Sequence, residues 1–490
     1  MTAGVQAVDW LAIGPVLGPA VAALLVLAVD AVVGARRTRL GDPIAVAGLL
    51  AGLVLLVPQG GGATFCTAPG RCSYVVSSLS LSLQAVVLAA ALVCLLLAIG
   101  LRDRLPRTEL HLLVLTATAG ACALAAARDY ATLAVALETA SLPLVALVAL
   151  RRDGRGAEAG LKLLMTSVVS FGLLALGVAL VYASTGSLYL GQPVATSLGD
   201  LRAAHGVGLA LVVAGAAFKL SLVPFHLWTP DTYAGAPLPV AAFLSTVSKV
   251  AGLSAVVLVL AVGAPERAGD WAAPVGVLAA VTMTVGNLVA LRQRTAVRLL
   301  AWSTVAQAGW VVLPLAGAVS ASRVTSAVSA SLGYLLAYVV ATLAAFAVVV
   351  RVAESHPDGA RHPLTAYAGL WRRRPALALV LGFALLCLAG LPPGVMGVVA
   401  KILAIAPVVG VGAYGLVAVA VVNVVLGVAV YLRWAAGLVA PGEATGEAPS
   451  ASGTTPVAHR LALALGAGGC VALSVLPQLV AGVLARVPLR

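Results

Sequence analysis

Apolar runs of roughly 18 to 25 residues follow one another along the chain with short polar breaks between them. Each is long enough to cross a hydrocarbon core of about 30 Å as a helix. About fourteen such runs predict helices over residues 11–34, 43–58, 78–101, 109–128, 129–150, 159–184, 205–228, 236–262, 271–292, 296–318, 325–352, 375–405, 411–437 and 458–483. The runs are continuous stretches of Ala, Leu and Val, whereas a transmembrane barrel would show short strands that alternate apolar and polar positions. The pattern predicts an all-α polytopic membrane protein.

Composition agrees: 61% of the 490 residues are hydrophobic, 10% are charged, and the mean hydropathy is +1.08, which makes lipid the solvent for most of the surface. A net charge of +13 would suit nucleic acid, but the basic residues gather in short loops, as the positive-inside rule requires, so no nucleic-acid partner is expected. Arg36, Arg37, Arg39, Arg102, Arg104, Arg107, Arg151, Arg152, Arg155 and Arg372 to Arg374 fall on one side; Arg71, Arg128 and Arg202 fall on the other. With an even number of helices, both termini then face outward across a bacterial inner membrane. No Lys or Arg precedes Arg36, so the first helix does not read as a cleaved signal.

Of six cysteines, Cys94, Cys122, Cys387 and Cys470 sit singly in apolar helices as small core residues, without metal-ligand spacing. Cys66 and Cys72 lie in an outward loop rich in Gly, Pro and Thr, on a side oxidising enough for a local disulfide to form.

Acidic residues fall almost entirely in loops or at helix ends; the deep exception is Glu138 in the fifth helix. Only four lysines stand against 26 arginines, and all four, Lys162, Lys219, Lys249 and Lys401, fall inside predicted helices. A GC-rich genome explains arginine wherever only fixed charge is needed, but not lysine surviving inside the membrane alone. Arginine holds its proton in proteins, whereas a desolvated lysine can release it. A charge at a helix centre costs about 2.5–3.5 kcal/mol, so Lys219, Lys249 and Lys401 mark a pathway or a paired site. Structural pairing or snorkelling is the alternative. Lys162, four residues after Glu158, suits a local ion pair as well as transport.

The seventh helix carries Pro224 shortly after Lys219 and is expected to break near Ser221 to Pro224; the twelfth carries Gly390, Pro392, Pro393 and Gly394 before Lys401. The interruptions lie five helices apart, an odd number, so a second five-helix unit would enter the membrane from the opposite side. That predicts an N-terminal three-helix segment (1–108), two inverted repeats (109–262 and 271–437), and a loop with the last helix (438–490).

The stretch from Phe218 to Pro237 (FKLSLVPFHLWTPDTYAGAP), followed by Ser245 to Lys249 (STVSK), resembles the antiporter-like subunits of respiratory complex I, the proton-translocating NADH:quinone oxidoreductase. Leu137 to Pro143, Glu158 to Lys162, Arg298 to Thr304, and Leu388 to Pro393 through Lys401 extend the likeness over nearly the whole chain. Tyr233 and Gly235 favour the subunit N type over its sisters L and M. The resemblance implies a fourteen-helix bundle with two inverted half-channels joined by hydrated charges at mid-membrane. It implies Glu138 and Lys219 as a coupling pair, Lys249 as the central relay and Lys401 as the distal site. Where relatives often carry a histidine, this chain has Gln307, which cannot be protonated at working pH. Water with Ser303 or Thr304 is expected to bridge that position.

On this reading Glu138 and Lys219 attract each other at rest, and separating them lets Lys219 pass its proton to Lys249. Waters around His226, Ser245 and Ser248 would carry it onward, with His226 either a shuttle or a structural histidine. No nucleotide loop, iron–sulfur spacing or flavin fingerprint occurs, so NADH, FMN, iron–sulfur clusters and quinone are expected in partner subunits. The partners are other membrane subunits of the complex, antiporter-like and small helical ones, and the lipid bilayer. Rival readings are an Mrp-type sodium/proton antiporter subunit, a membrane-hydrogenase module, or a scaffold whose buried charges only lock helices together. The polar stretches 440–456 and 354–363 read as surface loops.

Overall fold

The computed structural model describes residues 8–33, 40–68, 70–101, 105–193, 201–354, 363–441 and 456–482. Arg36, Arg37, Arg39, Arg102 and Arg104, and most of both polar loops, lie outside the described residues.

In chain order the helices are α1 (Gly14–Val33), α2 (Gly41–Val54), α3 (Ser78–Gly100), α4 (Arg107–Ala125), α5 (Tyr130–Ala149), α6 (Gly154–Thr185) and α7 (Arg202–Leu220). Three short pieces follow, α8 (Trp228–Gly235), α9 (Leu238–Ser245) and α10 (Val247–Val257), then α11 (Ala268–Ala290), α12 (Ala296–Val312) and α13 (Ala321–Ala353). The last are α14 (Leu370–Arg373), α15 (Pro375–Ala389), α16 (Val395–Val409), α17 (Tyr414–Val439), α18 (Val457–Val475) and α19 (Gln478–Gly482). Among the described residues twelve helical segments are long and apolar enough to cross a membrane, with α2, α15 and α16 as shorter apolar helices. The protein is therefore a mostly helical polytopic membrane protein, and the interrupted run over 375–405 is two helices, α15 and α16.

Burial separates an inner from an outer set. The span Leu238–Val262 is 100% buried over its most apolar window and Ala296–Gly317 is 94% buried, against 28% for Gly154–Thr185 and for Tyr414–Val439. The inner helices α9, α10, α12 and α13 carry the polar side chains; the outer ones present Leu161, Met165, Val169, Val421 and Val425 to their surroundings. This inverts the soluble arrangement, as lipid demands.

Two polar devices fix the packing away from the inner helices. Asn287 on α11 donates to Asn423 on α17 (3.0 Å), and Asn423 donates in turn to Thr284 (3.0 Å), an interhelical clasp of the kind that sets register where no hydrophobic drive separates helix from lipid. At the membrane surface, the segment after α2 forms an antiparallel hairpin, β1 (Gly62–Ala68) with β2 (Arg71–Val76). Cys66 pairs with Cys72 across it as a disulfide, and Thr67 meets Tyr189 at 2.8 Å. The Gly- and Thr-rich sequence reads as irregular loop; the pairing of facing strands, not propensity, makes it a hairpin.

Candidate functional site

The two interruptions close in the same way. At the first, α7 ends at Leu220, Ser221 takes the left-handed conformation (φ 64°), its N–H returns to Phe218 O (3.0 Å) and that of Leu222 to Ala217 O (3.0 Å). At the second, α15 ends at Ala389, Gly390 takes φ 72°, its N–H returns to Cys387 O (3.1 Å) and that of Leu391 to Leu386 O (3.0 Å). This is the Schellman pattern of helix termination. Each is followed by a cis X-Pro bond, Val223-Pro224 and Pro392-Pro393.

Such an ending leaves carbonyls of the last turn without backbone donors, and inside a membrane they must find others. Lysines supply them. The Lys249 ammonium donates to Lys219 O (2.9 Å) and to Ser221 Oγ (2.5 Å), and Ser221 Oγ lies 2.6 Å from Thr229 Oγ1. Trp228 Nε1 covers Phe218 O (3.0 Å). At the second break Lys401 Nζ donates to Ala389 O and Gln307 Nε2 to Leu388 O (3.3 Å). A cation at a helix C-terminus also meets the negative end of the helix dipole. Gly252, one turn beyond Lys249, lets α10 approach: a Cβ there would stand 2.7 Å from Leu220 N.

Exposure is 3% for Lys219, 1% for Lys249 and 6% for Lys401, so all three are held inside the bundle. Lys219 Nζ reaches Ser167 Oγ (3.4 Å) and lies 5.1 Å from the Phe218 ring centroid. Glu138 on α5 is half-buried and within electrostatic reach of Lys219, and among the described residues no ion pair joins them inside 4.0 Å. The expected pair is thus not a contact. Lys249 stands 4.7 Å from the ring of Trp228 and Lys401 stands 5.5 Å from that of Trp310.

Between the two breaks lie polar groups of which sequence reasoning named Ser245, Ser303, Thr304 and Gln307 but missed Tyr334, Tyr338 and Tyr431. The chain halts between α9 and α10 at Thr246 (φ −120°, ψ −78°), and the N–H of Lys249 turns to Thr246 O, leaving Ser245 O to accept the Tyr338 hydroxyl (2.7 Å). Tyr338 also lies 3.0 Å from Thr304 Oγ1. Tyr334, one turn before it on α13, donates to Gln307 Oε1 (2.5 Å), and Gln307 donates to Tyr431 OH (2.8 Å), which meets Ser303 Oγ at 2.6 Å. Between Tyr338 and Gln307 lies a cavity of about 10 Å³, also lined by Tyr334, Leu388, Gly397 and Ala400 and near the least space that admits one water. The signal was present: Tyr334 and Tyr338 are spaced i, i+4 and share a helix face.

Other expected residues lie apart from these groups. His226, 7% exposed, packs its ring 5.3 Å from Trp302 and makes no hydrogen bond to a lysine among the described residues. The buried Ser248 hydroxyl has no hydrogen-bond partner among the described residues. Lys162 sits at the surface, bonded to Glu158 (2.7 Å) and to Asp231 (3.0 Å), and Asp231 also meets Arg298 (3.4 Å). These charges rim a cavity of about 550 Å³ also lined by Arg151, Asp153, Arg155, Tyr233 and Glu354. The N–H of Gly156 and, less strongly, the nearby Arg151 hold the Asp153 carboxyl below its ordinary pKa.

Residues 127–427 match the family described as NADH:quinone oxidoreductase/Mrp antiporter, transmembrane. The chain is 45% identical to NADH-quinone oxidoreductase subunit N 2 of Streptomyces griseus over 97% of its own length and 93% of that protein's. Among solved structures, a chain of respiratory complex I from Thermus thermophilus with bound aureothin is 34% identical and superposes with a TM-score of 0.79, covering 96% of this chain and 99% of that one. A chain of the Mrp complex from a Dietzia species shares the fold at 24% identity, with a TM-score of 0.83 and 97% of each chain covered.

Proposed function

The chain belongs to the family of membrane subunits shared by NADH:quinone oxidoreductases and Mrp antiporters, and on that premise we propose that Glu138, Lys219, Lys249 and Lys401 carry protons through it. It is a multi-pass membrane subunit of an NADH-quinone oxidoreductase, a translocase complex. The redox groups, from NADH and FMN through iron–sulfur clusters to quinone, reside in partner subunits. Residues 109–262 and 271–437 act as inverted half-channels, and both chain termini face outward.

The observation that carries the reading is the lysine at each break. An ammonium that caps a carbonyl in a dry bundle is held by hydrogen bonds an amine can partly keep, so losing the proton does not empty the site. Glu138 within electrostatic reach of Lys219 favours the ammonium there; drawing the carboxylate away frees a proton toward Lys249. From Lys249 onward three hydrogen-bonded groups offer oxygens, Ser221 with Thr229, Tyr338 with Thr304, and Gln307 with Tyr334, Tyr431 and Ser303, and water has to bridge between them. Gln307 orients its two tyrosines and does not itself titrate, while Ser303 steadies Tyr431. Lys162 and His226 lie off these groups and support them from outside.

The test replaces Lys249 and Lys401 singly with Met and follows assembly, NADH oxidation and proton pumping in inside-out vesicles separately. Pumping per NADH is expected to fall in both while the complex still assembles. Unchanged pumping in both would leave the lysines as helix locks.

A further inference from the structure

The lysine at the second break is short of acceptors. Lys401 is 6% exposed, its ammonium carries three N–H groups, and Ala389 O is its one hydrogen-bond acceptor among the described residues. Lys249 has two, Lys219 O and Ser221 Oγ. Beyond its carbonyl the Lys401 ammonium meets the ring of Trp310, 5.5 Å from Nζ to the centroid, as Lys249 meets Trp228 at 4.7 Å. The negative face of an indole attracts a cation within about 6 Å, most strongly where water is excluded, and does nothing comparable for a neutral amine. Both rings are fixed in place. Trp310, 1% exposed, stacks on Tyr334 (5.8 Å between centroids, 13° between planes), which Gln307 holds in turn; Trp228 is tied through Nε1 to Phe218 O. Gln307 and Trp310 are spaced i, i+3 on α12, so one helix face supplies both the donor to Leu388 O and the ring for Lys401.

We propose that Trp310 is a positioning residue for proton transfer: its indole face holds the charged form of Lys401 in place of the missing acceptors, and Trp228 does the same, to a smaller degree, for Lys249. The proposal rests on the lysine-path reading above. An ammonium buried with a single carbonyl is costly to form, because leaving water penalises the charge. The ring offsets part of that cost without taking the proton: Lys401 Nζ gains one proton and later gives one up, and the indole ends each cycle as it began. The two rings come from different elements, α12 at the second break and the first residue of α8 at the first, so the shared arrangement is not a by-product of one backbone motif.

The test inserts tryptophan and then its mono-, di- and trifluorinated forms at position 310 through an amber codon, and reads NADH-driven pumping by the assembled complex in inside-out vesicles. Fluorine drains the negative face and barely alters the ring's size, so packing is kept. Pumping per NADH is expected to decline stepwise with each fluorine, on the order of threefold at the third. The same series at position 228 should decline less, because Ser221 shares the Lys249 ammonium. An electron-poor ring stacks no worse on Tyr334, so a stepwise decline reports the cation. Trp310→Phe, with a weaker face, is expected between the parent and Trp310→Leu. Level pumping across the series at 310, or a steeper decline at 228, overturns the proposal; a loss confined to Trp310→Leu leaves the ring as packing alone. Lys401→Met stands beside them: if it pumps normally, the lysine path itself is lost, and if it fails while the fluorinated series is level, only the role of the ring is lost.

Discussion

The first break surrounds its lysine with alternatives and the second leaves its lysine alone. Around Lys249 stand the Ser221 and Thr229 hydroxyls, with Lys219 on the same helix end and Glu138 within electrostatic reach of it. Lys401 has Ala389 O and the face of Trp310. The backbone closure is the same, so the difference lies in side chains. One end can share or redirect a proton; the other can only hold one or release it.

That contrast ranks the substitutions. Lys401→Arg keeps the cation on its carbonyl but cannot release a proton, and pumping by the assembled complex should drop at least about tenfold. Lys249→Arg should cost less, roughly threefold, because hydroxyls and Lys219 remain beside it; equal losses would erase the distinction between the ends. Next come the left-handed residues. Gly390→Ala meets a positive φ, and its Cβ would stand 2.8 Å from Lys401 Cδ, so the melting temperature of the complex should fall, by a destabilisation of about 1–2 kcal/mol. Ser221→Gly relieves the backbone but removes the oxygen that Lys249 bonds, so stability should hold while pumping declines about twofold. A parallel loss of both at Ser221 would mean that the hydroxyl is structural. The smallest effect belongs to Cys66→Ser, far from either break, for which pumping should match the parent.

Much of this was legible because charge inside an apolar run is costly and leaves few readings, a pathway or a structural pair: Glu138, Lys219, Lys249 and Lys401 stand out against Ala, Leu and Val. The two breaks were legible through Pro224, Pro392 and Pro393. The tyrosines beside Ser303, Thr304 and Gln307 were not, because tyrosine passes for an apolar residue in a hydrophobic helix and reveals its polar end only when partners converge from α12, α13 and α17. The halt at Thr246 was hidden too; neither proline nor glycine marks it, and its partners, Cys94 beside Thr246 and Tyr338 on Ser245 O, come from distant helices. Lys162 was half legible: Glu158 four residues before it signalled the ion pair, and only the fold adds Asp231 beside it.

The hairpin crosslink between Cys66 and Cys72 gives the molecule a compass. Such a bond persists where the surroundings are oxidising and is lost where thiols are kept reduced. The thiol count of this hairpin in intact cells, taken by a mass-tagging reagent, therefore reads out which way the whole bundle was threaded, independently of where its arginines lie.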